Sequence, residues 1–294
     1  MCDENTFADA DEHIRRSSEL TRREFGALSA GAGLAMFWPT MAHAADVIER
    51  DVEITTPDGK ADCYFVSPAT GAHPGVLLWP DAFGLRPAMR QMAKRLATSG
   101  YAVLAVNPYY RSTKAPIFPS GADFTDPNTR TTIMSMMKTL NPDTHVTDAK
   151  AFVDYLDAQP GVAGDRKMGT MGYCMGGPIT MRTAATRADR IGAAASFHGG
   201  RLVTDQADSP HLLVPKMSAQ YLFAIAANDD EQEPETKNVL RETFAQNSLS
   251  AEIEVYKETL HGWCPPDSRV YNEPQAERAW SRLLALFDEA LAAA

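Results

Sequence analysis

Short apolar runs alternate along the chain with longer stretches in which apolar residues recur at every third or fourth position. The short runs predict strands buried on both faces, and they occur in PGVLLWPD, YAVLAVNPYY, RKMGTMGY, IGAAASFHGG and QYLFAIAAND. Alternating polar and apolar residues predict a hairpin in DVEITTPDGKADCYFVSP, with its turn at Pro57-Asp58-Gly59, and a last strand in AEIEVYKETLHGW.

The longer stretches predict helices that follow the strands. These are RPAMRQMAKRLATSG, NPDTHVTDAKAFVDYLDAQPG, MGGPITMRTAATR, PETKNVLRETFAQN and PQAERAWSRLLALFDEALAAA. The first helix is expected to end near Gly100, where a left-handed backbone suits glycine. Residues 108–140 are irregular and contain several prolines, but Ile133, Met136, Met137 and Leu140 keep a helical spacing. We interpret these four as core residues rather than as a binding surface.

This alternation predicts an α/β fold, with a mostly parallel central sheet covered by helices on both faces. Catalytic groups in such sheets lie at the carboxyl ends of the strands. No internal repeat or linker divides residues 45–294, so they are expected to form one domain.

The first 44 residues have a different pattern. Arg22-Arg23 is followed by Phe25, then by a run of apolar and small residues, and then by Ala42-His43-Ala44. A charged start, an apolar middle and an A-x-A site are typical of a secretory signal, and the paired arginines resemble a twin-arginine signal. We expect cleavage after Ala44 and a periplasmic mature protein. The alternative is a disordered basic N-terminus on a cytoplasmic protein.

Charge and cysteine content exclude several classes of function. The net charge of −10 argues against nucleic acid as a partner. No second long apolar run predicts a membrane span after signal removal, and no His/Cys spacing predicts a metal site. Of the four cysteines, Cys63, Cys174 and Cys264 remain after cleavage, so at least one is a free thiol. Cys264 is interpreted as unpaired and buried. Its alternatives are a second pocket thiol or a pair with Cys63.

The candidate nucleophile is Cys174 in MGYCMGG, where a predicted strand leads into a predicted helix. This is the context of a G-x-S-x-G nucleophile elbow, with sulfur in place of oxygen. Glycines on both sides permit the tight turn, and the helix N-terminus favours a thiolate. The alternative is a small buried cysteine that fills a crowded turn.

A thiol nucleophile needs a base, and the base needs an orienting acid. Among the histidines beyond residue 44, His261 follows the last strand, which is where folds with a nucleophile elbow of this kind place their base. His198 ends the strand after the elbow helix and is a candidate pocket residue, whereas His145 is expected to be solvated. Either Asp229 or Asp230, just past the QYLFAIA strand, is the candidate acid, and we prefer Asp229.

Four stretches, LLWPDAFGLRPAMR, NPYYR, MGYCMGGPI and LHGW, resemble the dienelactone hydrolase family, also called carboxymethylenebutenolidases. The resemblance implies an α/β-hydrolase fold, a Cys–His–Asp triad and no cofactor. It also implies that Asp81 holds the resting thiol, although the family pattern has a longer acidic residue there. Asp81 has an alternative interpretation as a turn residue after Pro80.

The resemblance further implies an oxyanion hole made by the backbone N–H groups of Met175 and Ala82. Arg111 matches a family arginine that clamps a substrate carboxylate, and Tyr110 is expected to shape the same pocket. The alternatives are an exposed loop cation for Arg111 and plain aromatic packing for Tyr110. A second family arginine after the histidine is missing, since HGWCPPD stands there.

These observations predict a hydrolase that cleaves a lactone or carboxylic ester through a cysteine thioester. Its expected partner is a small-molecule substrate, and its expected assembly is a monomer or weak homodimer. The alternatives are an esterase or acyl transferase acting on another class of substrate, and a periplasmic binding protein that has lost turnover.

Overall fold

The computed structural model describes residues 46–118 and 122–292, so the predicted signal at residues 1–44 lies outside the described residues. The predicted strands are confirmed. They are β1 (Val47–Thr56), β2 (Gly59–Pro68), β3 (Gly75–Trp79), β4 (Ala102–Val106), β5 (Met168–Tyr173), β6 (Ile191–Phe197), β7 (Gln220–Ala226) and β8 (Ala251–Tyr256).

The predicted helices also form. The described helices are α1 (Pro87–Thr98), α2 (Pro127–Met137), α3 (Pro142–Asp157), α4 (Gly176–Thr186), α5 (Ala227–Gln232), α6 (Thr236–Gln246) and α7 (Glu273–Ala290), with a 3₁₀ helix at Pro210–Lys216. Asn141 caps α3 with its side chain, and proline occupies the first turn, where a missing N–H is tolerated. Gly100 has a φ of +99°, as its place after α1 predicts.

The strands form an eight-stranded sheet in the order β1-β2-β4-β3-β5-β6-β7-β8. The two-residue turn at 57–58 makes β1 antiparallel to β2, and β2 is also antiparallel to β4. Every other neighbouring pair is parallel, because a helix or longer segment returns the chain to the same edge. The expected α/β-hydrolase architecture, mostly parallel with helices on both faces, is therefore confirmed.

Each face of the sheet packs against its own hydrophobic core. Leu78 and Tyr173 point into the core under α1 and α7. Leu77 and Met168 point into the opposite core with Phe152 of α3 and Ile179 of α4. Because both faces are covered, the central strands are apolar at nearly every position.

The structure corrects two predicted boundaries. The last strand ends at Tyr256, so the following residues through Trp263 form a loop that carries His261. A short helix, α5, begins immediately after β7, so the predicted strand QYLFAIAAND ends at Ala226 and its last three residues are helical. Both changes affect the carboxyl edge of the sheet, because they decide where Asp229 and His261 stand.

Two features are absent from the described residues. No helix among residues 46–118 and 122–292 is both long and apolar enough to cross a bilayer. Within the same ranges, no group of three or more His, Cys, Asp or Glu side chains is arranged to hold a metal ion.

Close backbone packing around the turn after β5 generates a stability prediction. A methyl group on Gly172 would overlap the carbonyl oxygen of Gly176, which belongs to the backbone and cannot swing away. We expect Gly172→Ala to lower the free energy of unfolding by about 2 kcal/mol or more, as overpacking does. Urea denaturation of the variant and the wild type measures this difference in the free energy of unfolding.

Gly164→Ala is the matched control, since no heavy atom lies within 4 Å of the added methyl group there. It should change the free energy of unfolding by less than about 0.5 kcal/mol. Equal effects of the two substitutions would contradict the tight turn.

Candidate active site

The turn between β5 and α4 places Cys174 in a strained, buried position. Cys174 has a φ of +51°, in the left-handed region that non-glycine residues rarely adopt. Its N–H donates to the Phe197 carbonyl at 3.0 Å, and its own carbonyl accepts from the Gly177 N–H at 3.0 Å. The close approach of Gly176 to the Trp79 carbonyl leaves room only for a hydrogen, since a Cβ would lie 2.5 Å away. The neighbouring backbone therefore holds the strained residue in place.

His261 and Asp229 converge on this cysteine from the loop after β8 and from α5. Both Asp229 carboxylate oxygens lie 2.9 Å from the His261 Nδ1. A further hydrogen bond joins the His261 side chain to that of Cys174. The structure thus brings the three predicted side chains together in the order carboxylate, imidazole, sulfur. Geometry of this kind supports proton transfer between imidazole and a nucleophile.

The charges around the His261 ring determine its protonation. Burial opposes a charge on the ring, but the negative charges of Cys174 and Asp229, with their hydrogen bonds, outweigh it and raise the pKa of His261 to about 10. His261 therefore carries its proton through neutral pH. A protonated imidazole beside a thiol favours the thiolate, which is the reactive form of cysteine.

Asp230, the alternative acid, points elsewhere. Its two carboxylate oxygens accept from Lys237 Nζ at 2.5 and 2.7 Å. The two neighbouring aspartates differ because α5 turns the chain by about 100° per residue, so only one side chain faces the imidazole. The preference for Asp229 over Asp230 thus agrees with the hydrogen bonds.

Two residues that the sequence analysis missed hold the His261 loop. The His261 N–H donates to Asn228 Oδ1 at 2.8 Å, and Asn228 is 5% exposed. The Ala227 N–H donates to Thr259 Oγ1 at 3.2 Å. These bonds join the loop to the start of α5. In the sequence, Asn228 stands next to Asp229 and could have been singled out for that reason. Nothing in the local sequence indicated that it accepts a hydrogen bond from the His261 N–H.

His198 packs behind the site instead of lining the pocket. Its ring makes an edge-on contact with the His261 ring, with centroids 5.1 Å apart. Both His198 ring nitrogens are buried without a hydrogen-bond partner among the described residues. Burial, together with the neighbouring His261, lowers the pKa of His198 well below its usual range. A neutral ring can therefore pack against a charged one.

Asp81 is engaged by an arginine that the sequence analysis did not single out. Its two carboxylate oxygens accept from Arg86 at 2.7 and 2.9 Å, and the first also accepts from the Phe83 N–H at 2.9 Å. Arg86 also donates to both oxygens of Asp267, at 2.7 and 2.9 Å. The bond to Phe83 is the turn that the alternative interpretation predicted. Both carboxylate oxygens of Asp81 are thus engaged by Arg86, and the expectation that Asp81 holds the resting thiol stays a prediction.

Asp81 nevertheless lies close enough to Cys174 to interact with it electrostatically. Burial raises the pKa of the Asp81 carboxyl and the charge on Cys174 adds to this, whereas the Arg86 guanidinium opposes both. Arg86 thus compensates a buried negative charge beside the thiol.

The backbone around the predicted oxyanion hole is cross-linked by Tyr109. Ala82 follows β3 and Met175 follows β5, and these two strands are parallel neighbours. The Tyr109 hydroxyl donates to the Ala82 carbonyl at 3.0 Å and lies 3.2 Å from the Met175 sulfur. Tyr109 is fully buried. The two segments expected to supply N–H groups are therefore tied to each other.

Arg111 and Tyr110 do not line the pocket, which corrects both predictions. Arg111 donates to the two oxygens of Asp148 at 2.9 and 2.7 Å and to Asp58 at 2.6 Å. The Tyr110 hydroxyl lies 2.8 Å from both Thr56 Oγ1 and Asp148 Oδ1. Asp148 is 1% exposed, so its charge must be compensated within the fold. Arg111 is a structural cation that joins the hairpin turn to α3.

A cavity of about 320 Å³ opens beside Cys174 and His261. Part of its lining is apolar, with Met137, Leu140, Pro142, Pro178 and Pro210. The lining also includes the polar residues Asn141, His145, Arg182, Arg201, Thr204, Asp208 and Ser209. Met137 and Leu140 therefore contribute to the pocket, whereas Ile133 and Met136 are buried, so the interpretation of this stripe as core holds for only half of it.

The pocket has two cations that the sequence analysis missed. Arg182 donates to the Asp208 carbonyl at 2.8 Å and lies 4.0 Å from its carboxylate, and its side chain is 11% exposed. Burial lowers the pKa of Arg182. Arg201 is exposed and makes no hydrogen bond or ion pair with any described residue. Met175, Pro178 and Arg182 are spaced so that they share one face of α4 and its first turn. This spacing could have placed Arg182 in the pocket next to the nucleophile.

His145 lines this pocket, although we expected it to be solvated. Both ring nitrogens are buried and have no hydrogen-bond partner among the described residues. Burial, with the nearby Arg182 and Arg111, lowers the pKa of His145 to about 3, so its ring is neutral. The expectation was wrong because His145 shares one helical face with Ala149 and Phe152.

The three cysteines among the described residues, at 63, 174 and 264, are buried and free. The interpretation of Cys264 as unpaired is thus confirmed. It does not line the pocket beside His261 but a separate cavity on the other side of the strand ends.

Comparison with known proteins places this site in a family. The model of the dienelactone hydrolase family matches residues 61–291. A carboxymethylenebutenolidase of Pseudomonas putida is 25% identical over 239 residues, or 81% of this chain and 95% of that protein. Carboxymethylenebutenolidase 1 of Cupriavidus pinatubonensis is 25% identical over 68% of this chain and 81% of its own length.

Solved structures agree with this assignment. A dienelactone hydrolase-like promiscuous phosphotriesterase from metagenomic libraries superposes with a TM-score of 0.69 at 25% identity. The match covers 84% of this chain and 99% of that one. With its α/β-hydrolase sheet and a family match over most of its length, the chain belongs to the dienelactone hydrolase family and is a hydrolase of lactones or esters.

Proposed function

We propose that this hydrolase cleaves its lactone or carboxylic ester through a thioester on Cys174. One observation carries the proposal: a cysteine strained at the strand–helix turn is hydrogen-bonded to His261, whose other side is held by Asp229 at 2.9 Å. Each group stands at the carboxyl edge of the sheet, where α/β enzymes gather their reacting groups.

The reaction runs in two balanced steps. The Cys174 thiolate attacks the carbonyl carbon, and the C–O bond to the leaving oxygen breaks while a C–S bond forms. Protonated His261 gives its proton to that oxygen, which stays on the same molecule in a lactone. Neutral His261 then takes a proton from water, whose oxygen attacks the thioester. The products are the free acid, the thiolate and protonated His261 again.

The negative oxygen formed in each step needs donors. We assign these to the backbone N–H groups of Met175 and Ala82, which follow two adjacent parallel strands. The N-terminus of α4 adds its positive end to the same place. The bridge through Tyr109 supports this assignment, because an oxyanion hole works only when its donors are held before the charge appears.

We further propose that the substrate carries an anionic group, held by Arg201 and Arg182 rather than by Arg111. Arg201 is a pocket cation without a described ion-pair partner, and Arg182 has only a carbonyl and a distant carboxylate. A planar guanidinium binds carboxylates through two parallel hydrogen bonds. The apolar residues of the lining then accommodate the rest of the substrate.

Cell location and assembly form a separate part of the proposal. The twin-arginine pattern at Arg22-Arg23 and the A-x-A site at residues 42–44 support export to the periplasm, with cleavage after Ala44. The hydrolase domain begins with β1 at Val47, just beyond that site. We propose a monomer or weak homodimer as its working form.

Removal of the Cys174 sulfur tests the central proposal. We expect Cys174→Ala to lower kcat/KM on aryl esters and lactones by at least about 10³-fold, as loss of a triad nucleophile does. Rapid acid quenching of the wild-type reaction, followed by peptide mass spectrometry, should find the acyl group on the peptide that contains residue 174. Unchanged turnover in Cys174→Ala and Cys174→Ser would show that another residue attacks.

The neighbouring aspartates offer a matched pair for the acid. Asp229→Asn should lower kcat/KM by roughly 10⁴-fold, because an amide cannot stabilise the charged imidazole and favours the wrong tautomer. Asp230→Asn, which removes only the ion pair with Lys237, should stay within about twofold of wild type. Steady-state kinetics of both variants give the two values of kcat/KM. A larger loss in Asp230→Asn than in Asp229→Asn would make Asp230 the acid.

Arg201 and Arg111 form a second matched pair, for substrate charge. Arg201→Gln should raise KM about tenfold for an ester that bears a carboxylate and leave a neutral ester of equal size unchanged. Arg111→Gln should instead lower the free energy of unfolding by about 3 kcal/mol, because Asp148 stays buried without its partner. If Arg111→Gln alone discriminates the two esters, the clamp belongs to Arg111 after all.

A further inference from the structure

A second cavity, of about 220 Å³, lies between α1 and α7 and shares no lining residue with the pocket beside Cys174. Its inner end is formed by Tyr173 and Phe197, the last residues of β5 and β6. Tyr173 and Cys174 are consecutive in the chain, so the two cavities approach the same turn from different sides. None of the catalytic steps above uses this second space.

Four of the twelve residues that line this cavity are aromatic. The Tyr173 and Phe197 rings stack on each other with centroids 5.0 Å apart, and Tyr271 and Trp280 also line the cavity. A further ring can pack against aromatic side chains by offset or edge-on contacts. A cavity of about 150 Å³ holds benzene, so this one has room for a benzene ring with a small substituent.

Two polar groups in the cavity call for a ligand that can form a hydrogen bond. Tyr173 is 1% exposed, and its hydroxyl makes no hydrogen bond with any residue that the structure describes. The buried thiol of Cys264 lies in the same wall. The described part of the fold supplies no partner for this hydroxyl, so it is available to a ligand hydroxyl, which would add a hydrogen bond there.

The rim makes a charged ligand unfavourable. Arg95 donates to both carboxylate oxygens of Glu277, at 2.7 and 2.6 Å, and its guanidinium lies 4.3 Å from the centroid of the Trp280 ring. The ion pair leaves no net charge at the entrance. Burial also raises the pKa values of Tyr173 and Cys264, so both stay neutral.

We propose that this cavity is a binding site for a small neutral aromatic alcohol of the phenol class. The ring packs against the aromatic side chains of the lining, and the ligand hydroxyl hydrogen-bonds the Tyr173 hydroxyl. The site is independent of the hydrolase reaction, because neither its residues nor its ligand enters the proposed chemistry.

Calorimetric titration of the whole protein with phenol tests the proposal. We expect one saturable site, which Ala276→Leu removes by filling the cavity from α7. Ala285→Leu is the matched control, since it makes the same change on an exposed face of the same helix and should leave phenol binding intact. Retention of phenol binding by Ala276→Leu would overturn the assignment, as would the absence of any saturable binding to wild type.

A second variant, Tyr173→Phe, tests the proposed hydrogen bond to the ligand. It also tests the binding site itself if Ala276→Leu fails to fold. Tyr173→Phe should weaken phenol about fivefold, the effect of one neutral hydrogen bond, and leave toluene binding unchanged. Equal losses for phenol and toluene, or no loss for either, would refute the assigned contact. Because binding and not turnover is measured, the result is separate from the outcome for Cys174.

Discussion

The close approach of backbones at the turn after β5 is the constraint on which the site depends. Gly172, Gly176 and Gly177 sit where a single methyl group would collide with main chain or with a buried side chain. That crowding holds Cys174 at a φ of +51°, immediately after the end of β5. The catalytic arrangement is therefore a consequence of packing, and the strain at one residue is compensated by the contacts of its neighbours.

Two ionic groups meet at this turn, and together they set the state of the sulfur. Asp229 and His261 form one, and Asp81 with Arg86 and Asp267 forms the other. In each, a carboxylate is matched by a cation, and the protonated His261 ring also hydrogen-bonds Cys174. Since His261 has a pKa of about 10, its proton is available to the leaving oxygen at neutral pH. The Arg86 bridge also joins the Ala82 segment to the loop beyond His261.

Features that depend on local sequence could be predicted, whereas features that depend on distant partners could not. The strands, the elbow and the order of Cys174, Asp229 and His261 follow from short patterns and from chain order. Arg111 was misjudged because its partners, Asp58 and Asp148, come from a hairpin turn and a helix that the sequence does not show as neighbours. His145 was misjudged for a different reason: its acidic neighbours suggested solvent, but its helical face was shared with core residues.

The arginines that line the pocket lie on different elements from the residues of the proposed catalytic triad. Cys174 directly follows β5, whereas Asp229 is held on α5 and His261 on the loop after β8, and backbone hydrogen bonds tie that loop to the start of α5. Arg182 and Arg201 stand on the elbow helix and on the loop after β6, where side chains can change without disturbing the sheet. Arg111 lies outside the pocket and is bound to Asp148, whose burial makes the guanidinium necessary to the fold. The cations that do line the pocket, Arg182 and Arg201, are therefore the ones that remain available for a bound anion.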